Sequence, residues 1–111
     1  MGNTIVIKRQ NRRYLVKLPV EISSGHHSLK GTTIRISERG LFVRSQKGFR
    51  VGIPVDITLH LTEDNLCRAK GIIRYVRSTH LSKQGNGMGI EFTETSYKYQ
   101  EFIKAVEKEK G

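Results

Sequence analysis

The arginines near the start of the chain are the first residues whose type and spacing suggest chemistry. Arg9 and Arg13 are four residues apart, with Arg12 between them and Lys8 before them. In an extended segment such a pair lies on one side, about 13 Å apart at ~3.3 Å per residue. Guanidinium groups donate paired hydrogen bonds to phosphate oxygens or to the O6 and N7 atoms of guanine. The spacing suits an anion with several such edges, although a basic chain also produces this pair by chance.

A polar turn farther along the chain offers a second set of groups. Arg35, Ser37 and Gly40 come at the end of a predicted strand, in the sequence Arg-Ile-Ser-Glu-Arg-Gly. Alternation along the strand predicts that Arg35 and Ser37 project together. The Ser37 hydroxyl can bind a ligand, and Gly40 permits a bend that brings main-chain N–H groups close to it. A turn-stabilising hydroxyl and a glycine with positive φ are the structural alternative.

The charge of the chain indicates an anionic partner. Its 111 residues include 20 lysines and arginines against 10 aspartates and glutamates, a net charge of +10 at pH 7. A nucleic acid, a nucleotide, a membrane surface and an acidic protein all fit such a charge.

The sequence lacks the residues that several classes of function require. Cys67 is the single cysteine, and the four histidines have no metal-binding spacing, so we expect no metal site. Neither a nucleophile beside a base nor a catalytic carboxylate pair is found, so we expect a binding protein and not an enzyme. Without a signal peptide or an apolar run of membrane-spanning length, the chain is expected to be cytoplasmic, with no membrane insertion.

Hydrophobic periodicity predicts the elements that position these groups. Strands are expected at residues 16–22 and 32–37, in a short run at 41–44, and then at 55–62, 67–75 and 88–92, the last after an Asn86-Gly87 turn. On the predicted strand at residues 67–75, Cys67, Ile73 and Tyr75 are expected to share one face. From residue 95 the spacing becomes helical, with an apolar stripe of Tyr99, Phe102, Ile103 and Val106.

The expected fold is therefore mainly β: about six antiparallel strands in a small barrel, closed by one C-terminal α-helix. We divide the chain into a flexible basic arm over residues 1–13 and a single barrel-plus-helix domain over residues 14–111.

Taken in order, the motifs resemble those of the PilZ domain family. Arg9 and Arg13 match its Arg-x-x-x-Arg motif, and Ser37 and Gly40 match its (Asp/Asn)-x-Ser-x-x-Gly turn. Later segments, including the sequence Gly-Ile-Glu-Phe at residues 89–92, follow the family order, so the resemblance extends from about Lys8 to Val106.

The resemblance implies a six-stranded split barrel that binds the bacterial second messenger cyclic di-GMP. Arg9 and Arg13 would be the main anchors, and Ser37 and Gly40 would form a second wall. Lys8 and Arg12 would add electrostatic attraction or contact a second ligand copy. No cofactor besides this ligand is expected.

One position departs from the family motif, because Arg35 stands where the family has Asp or Asn. A guanidinium has no hydrogen-bond acceptor, unlike the side chains it replaces. Arg35 would then either bind a phosphate or the acceptor edge of guanine, or repel the other arginines and weaken binding.

Three functions follow from these observations. The first is an adaptor, monomeric or homodimeric, that binds cyclic di-GMP, changes conformation and signals to an unidentified protein partner. The second is a degenerate PilZ adaptor that binds protein without the ligand. The third is a small basic nucleic-acid-binding barrel, although such barrels usually present more exposed aromatic side chains.

Overall fold

The computed structural model describes residues 12–77 and 86–110. Within these residues seven strands precede one helix. In chain order they are β1 (Tyr14–Leu15), β2 (Pro19–Ser24), β3 (His27–Ile36), β4 (Gly40–Arg44), β5 (Pro54–Thr62), β6 (Asn65–Arg77), β7 (Gly87–Thr95) and α1 (Tyr97–Lys110).

Six of the strands form a closed antiparallel barrel. Their order around the barrel is β3, β2, β5, β6, β7 and β4, and β4 pairs again with β3. The two-residue β1 extends the sheet beside the end of β3, where Tyr14 pairs with Ile36. This arrangement confirms the predicted six-stranded antiparallel barrel.

The barrel interior is filled by alternate residues of the strands. On β5, Val55, Ile57 and Leu59 are buried, as the alternation predicts. The helix adds Tyr99, Ile103 and Val106 to the same hydrophobic cluster. Ser96 caps the helix, because its hydroxyl accepts a hydrogen bond of 3.2 Å from the Tyr99 backbone N–H. The predicted apolar helix is confirmed, with its first residue at Tyr97.

The predicted strand over residues 16–22 begins later than expected, at Pro19. Thr33, which is fully buried, inserts its side chain where ladder hydrogen bonds would otherwise form. Its hydroxyl accepts from the Leu18 N–H at 2.9 Å and donates to the Val16 carbonyl at 2.6 Å. On the N-terminal side of this irregularity, Tyr14 and Leu15 pair with the end of β3, beside the predicted turn.

Across residues 12–77 and 86–110, no helix has the length and apolar character needed to cross a membrane.

Candidate functional site

A concave surface of about 400 Å³ lies where β3, β4, β6 and β7 meet. We call it the arginine pocket. Its described lining residues are Arg13, Arg35, Ser37, Arg39, Gly40, Leu41, Phe42, Arg74, Tyr75, Gly89, Ile90 and Glu91. Four guanidinium groups thus surround one carboxylate and two aromatic rings, which gives the surface both a positive potential and an apolar floor.

The pocket brings together residues that the sequence placed in two separate motifs. Arg13 from the first motif lies in one lining with Arg35, Ser37 and Gly40 from the second. Arg12 is exposed and does not line the pocket. The predicted ligand contacts Lys8 and Arg9 lie outside the described residues. The juxtaposition of Arg13 with the turn is the arrangement on which the site depends.

The Ser37 side chain is used within the turn itself. Its hydroxyl accepts hydrogen bonds from the N–H groups of Arg39 at 3.2 Å and Gly40 at 3.1 Å, and it donates to the Gly40 carbonyl at 3.3 Å. A serine hydroxyl has one donor and two acceptor sites, so these bonds occupy its full capacity. In this conformation Ser37 shapes the turn, and a direct ligand contact by its hydroxyl would require a rearrangement.

Tyr99 ties the same turn to the helix. Its hydroxyl donates a buried hydrogen bond of 2.7 Å to the Ser37 carbonyl. Burial raises the pKa of the Tyr99 phenol, and the electrostatic effects of Cys67 and Glu38 raise it further. The phenol therefore stays protonated and remains a donor. The sequence placed Tyr99 in the helical core stripe, but its spacing gave no sign of this contact with the turn.

Gly40 is required by a close approach and not by an unusual backbone angle. A Cβ atom at this position would lie 2.1 Å from the Ile90 carbonyl oxygen and 3.3 Å from the Glu91 Cα. The positive-φ glycines of the described chain are Gly25 and Gly52, so the structural alternative of a positive φ at Gly40 is wrong. Gly40 pairs with Glu91 in the β4–β7 ladder, and this contact holds the turn against β7.

The second half of β6 supplies pocket residues that the sequence analysis missed. The β6–β7 ladder changes register between Ile73 and Tyr75. Ile73 is fully buried, whereas Tyr75 is 50% exposed, so the prediction that Tyr75 shares the core face is wrong. A bulge of this kind re-aims the residues that follow it. Arg74 and Tyr75 consequently both line the pocket.

The aromatic floor of the pocket depends on two glycines of β7. The rings of Phe42 and Tyr75 are stacked, with centroids 5.8 Å apart and an interplanar angle of 22°. A Cβ atom at Gly87 would lie 2.3 Å from the Phe42 ring, and one at Gly89 would lie 2.2 Å from the Tyr75 ring. The rings can therefore cross β7 only because these positions have no side chain. Period-two glycines in a strand were the available signal, but Asn86-Gly87 was assigned to a turn.

An ion pair spans the edge of the pocket. The Nε atom of Arg74 donates to Oε1 of Glu91 at 2.6 Å, and the two side chains are 57% and 47% exposed. A pair with this exposure contributes little to stability, on the order of 0–1 kcal/mol. Its main consequence is geometric, because in this structure it orients the Glu91 carboxylate beside the turn.

The described residues provide groups for binding an anion. In this part of the chain, no cluster of histidine, cysteine, aspartate or glutamate could hold a metal ion. Burial raises the pKa of the Cys67 thiol, an effect that Lys98 partly opposes, so the thiolate needed for nucleophilic chemistry is disfavoured. The guanidinium groups can bind phosphates, and the half-exposed Tyr75 ring, backed by Phe42, can accept the face of a base.

Comparison with known proteins gives the family and the fold. The family model described as the PilZ domain matches residues 7–106. The Bacillus subtilis inhibitor of motility MotI/DgrA superimposes with a TM-score of 0.71 at 19% identity, over 88% of this chain and 48% of that one, so this chain spans about half its length. The PilZ domain of Escherichia coli YcgR, solved with c-di-GMP, gives a TM-score of 0.69 at 12% identity over 93% and 94% of the two chains. Comparison with curated proteins gave no match.

Proposed function

Because the chain belongs to the PilZ domain family, we propose that its arginine pocket binds cyclic di-GMP and that the bound form acts on a protein partner. The observation that carries the proposal is the convergence of Arg13 and the Ser37–Gly40 turn on one pocket. Arg9 would add a second anchor from the segment that precedes the described residues.

The chemistry of the pocket suits the two parts of this ligand. Cyclic di-GMP carries two phosphates and two guanine bases. Arg13, Arg35 and Arg39 offer donors to phosphate oxygens or to the O6 and N7 edge of guanine. The half-exposed Tyr75 ring offers a flat apolar face on which a base can stack, with a typical contribution of about 1–3 kcal/mol.

Signalling to a protein partner is the expected use of such binding. The YcgR domain was solved with c-di-GMP, and MotI/DgrA is described as an inhibitor of motility. By analogy, ligand bound against the turn would alter the surface that a partner contacts. The Tyr99 hydrogen bond to Ser37 supports this idea, because it connects the turn to the helix.

Calorimetric titration of the intact chain with cyclic di-GMP tests the proposal. We expect binding at micromolar protein concentration, and we expect Arg9→Ala and Arg13→Ala each to weaken it by about tenfold or more, because each removes charge-assisted hydrogen bonds. Arg68→Ala is the matched control, since Arg68 is exposed on β6 but does not line the pocket. Absence of heat from the unmodified chain would contradict the proposal.

A ligand-free adaptor is the second candidate, and Arg35 is the observation that favours it. Its exposed guanidinium lines the same pocket as Arg13 and Arg39, so these positive charges repel one another without an anion. If this candidate is correct, the unmodified chain will not bind cyclic di-GMP and Arg35→Asp will bind it. Salt-dependent binding to arbitrary DNA or RNA, unaffected by cyclic di-GMP, would instead favour a nucleic-acid-binding barrel.

A further inference from the structure

Hydrogen-bond donors dominate the arginine pocket. Arg13, Arg35, Arg39 and Arg74 contain no acceptor in their side chains. Such groups can pair with phosphates and with the O6 and N7 atoms of guanine. They cannot pair with the N1–H and N2–H groups on the other side of the same base. Recognition of this N1–H and N2–H edge of guanine therefore needs an acceptor as well.

The Ser37 and Gly40 oxygens of the turn already accept hydrogen bonds, and the Glu38 carboxylate does not line the pocket. The Ser37 hydroxyl has no remaining lone pair, and the Ser37 carbonyl accepts from Tyr99. The Gly40 carbonyl accepts from both the backbone N–H and the hydroxyl of Ser37. The Tyr75 hydroxyl offers a single neutral oxygen, which is poorly suited to two N–H groups at once. Glu91 is the one carboxylate in the described lining.

Glu91 is placed and oriented for such a contact. It pairs with Gly40 across the β4–β7 ladder, and the neighbouring Phe92 N–H donates to the Arg39 carbonyl at 2.7 Å. The residue is thus held directly beside the turn. Arg74 binds Oε1 at 2.6 Å, which orients the carboxylate while its remaining lone pairs, including those of Oε2, can still accept hydrogen bonds.

We infer that Glu91 is the specificity-determining residue of the pocket and that its carboxylate accepts the N1–H and N2–H groups of a guanine base. This inference rests on the proposed function and adds the residue that selects the base. Two parallel N–H···O bonds to a carboxylate match the spacing of these guanine donors. Adenine presents no N1–H and no 2-amino group, so it would leave the carboxylate unpaired.

A substitution that removes the charge of Glu91 changes ligand affinity in opposite directions for the two roles, so it separates base recognition from a merely electrostatic effect. Glu91 is a negative charge beside the site of a dianionic ligand. If it only repels the phosphates, Glu91→Gln will strengthen binding of every cyclic dinucleotide. If it accepts from guanine, the same variant will weaken binding of cyclic di-GMP, because an amide replaces one acceptor oxygen with a donor.

Calorimetric titration with two ligands tests the inference. The ligands are cyclic di-GMP and its analogue with hypoxanthine bases, which lack the 2-amino group. We expect the unmodified chain to prefer cyclic di-GMP by about tenfold or more, the usual scale for a hydrogen bond to a charged group. Glu91→Gln should lose most of that preference. Glu94→Gln, which removes an exposed carboxylate elsewhere on β7, should keep it.

The outcomes are distinguishable from those of the proposed function. If Glu91→Gln keeps the preference, or binds both ligands more tightly, the role of Glu91 is overturned while cyclic di-GMP binding stands. If the unmodified chain binds neither ligand, both proposals are overturned. Circular dichroism of Glu91→Gln verifies that the variant is folded, which we expect because the Arg74–Glu91 pair is half exposed.

Discussion

The first part of β6, up to Ile73, buries every second residue from Cys67 onward, whereas its second part exposes three residues in succession. Cys67, Ala69 and Ile73 are buried in the barrel. Residues 74–76 are all exposed. The change coincides with the register shift that separates Ile73 from Tyr75 in the β6–β7 ladder.

The comparison shows how one strand serves both the core and the pocket. Before the shift, burial restricts alternate positions to small or apolar side chains. After it, Arg74 and Tyr75 are released from the core and line the pocket on the outside of the barrel. Because Arg74 and Tyr75 follow the irregularity and are exposed, these two residues can change with limited effect on the fold. The two parts should therefore respond differently to the same kind of substitution.

The largest expected effect is on stability, from Ile73→Ala. Ile73 is fully buried, so its truncation leaves a cavity and should lower the free energy of unfolding by about 2–5 kcal/mol. Tyr75→Ala should cost less, on the order of 1–2 kcal/mol, because the side chain stacks on Phe42 but is half exposed; it should weaken cyclic di-GMP binding. Urea denaturation gives the first quantity and calorimetric titration the second. Equal losses of stability in both variants would contradict the division of β6.

The same division explains which parts of the fold the sequence predicts. Alternation identifies β5 and the first part of β6 because burial on one face imposes a period of two. The helical stripe that includes Tyr99 and Ile103 is equally clear, since both residues pack into the core. A bulge leaves no such pattern, because it is defined by pairing with β7. The exposure of Tyr75 therefore could not be obtained from β6 alone.

The sequence predicts those residues of the candidate site that belong to recognisable motifs. Arg13, Ser37 and Gly40, which the motifs predict as ligand contacts, line one pocket, and their contact with a ligand stays a prediction. Glu91 was noticed only as part of a strand pattern, since its proximity to Gly40 depends on the β4–β7 register. The role of Gly89 was missed for a similar reason: its contact is with a ring on the neighbouring strand.

An intermediate loss of stability is expected from Tyr99→Phe. This variant tests whether the turn beside the pocket depends on its hydrogen bond to the buried Tyr99 side chain. The substitution removes the buried hydrogen bond to the Ser37 carbonyl and leaves that acceptor unpaired. We expect the free energy of unfolding to fall by about 1–3 kcal/mol. Cyclic di-GMP affinity should fall as well, because the turn loses a support. Phe102→Leu, a helix substitution without a hydrogen bond to the turn, is the control. If both variants bind the ligand equally, Tyr99 has no positioning role.

The smallest effect on stability is expected from Gly89→Ala, which alters the pocket while leaving the core unchanged. The added Cβ would lie 2.2 Å from the Tyr75 ring, and this half-exposed ring can move away, so the loss of stability should stay below about 1 kcal/mol. The displaced ring no longer forms the floor with Phe42, and cyclic di-GMP affinity should fall. A double-mutant cycle with Tyr75→Ala isolates the cause, because Gly89→Ala should have little effect on affinity once the ring is absent. If the two losses of affinity are additive, Gly89 influences the ligand by a route other than Tyr75. The stacked rings would then not be what the β6 residues after Ile73 contribute to the pocket.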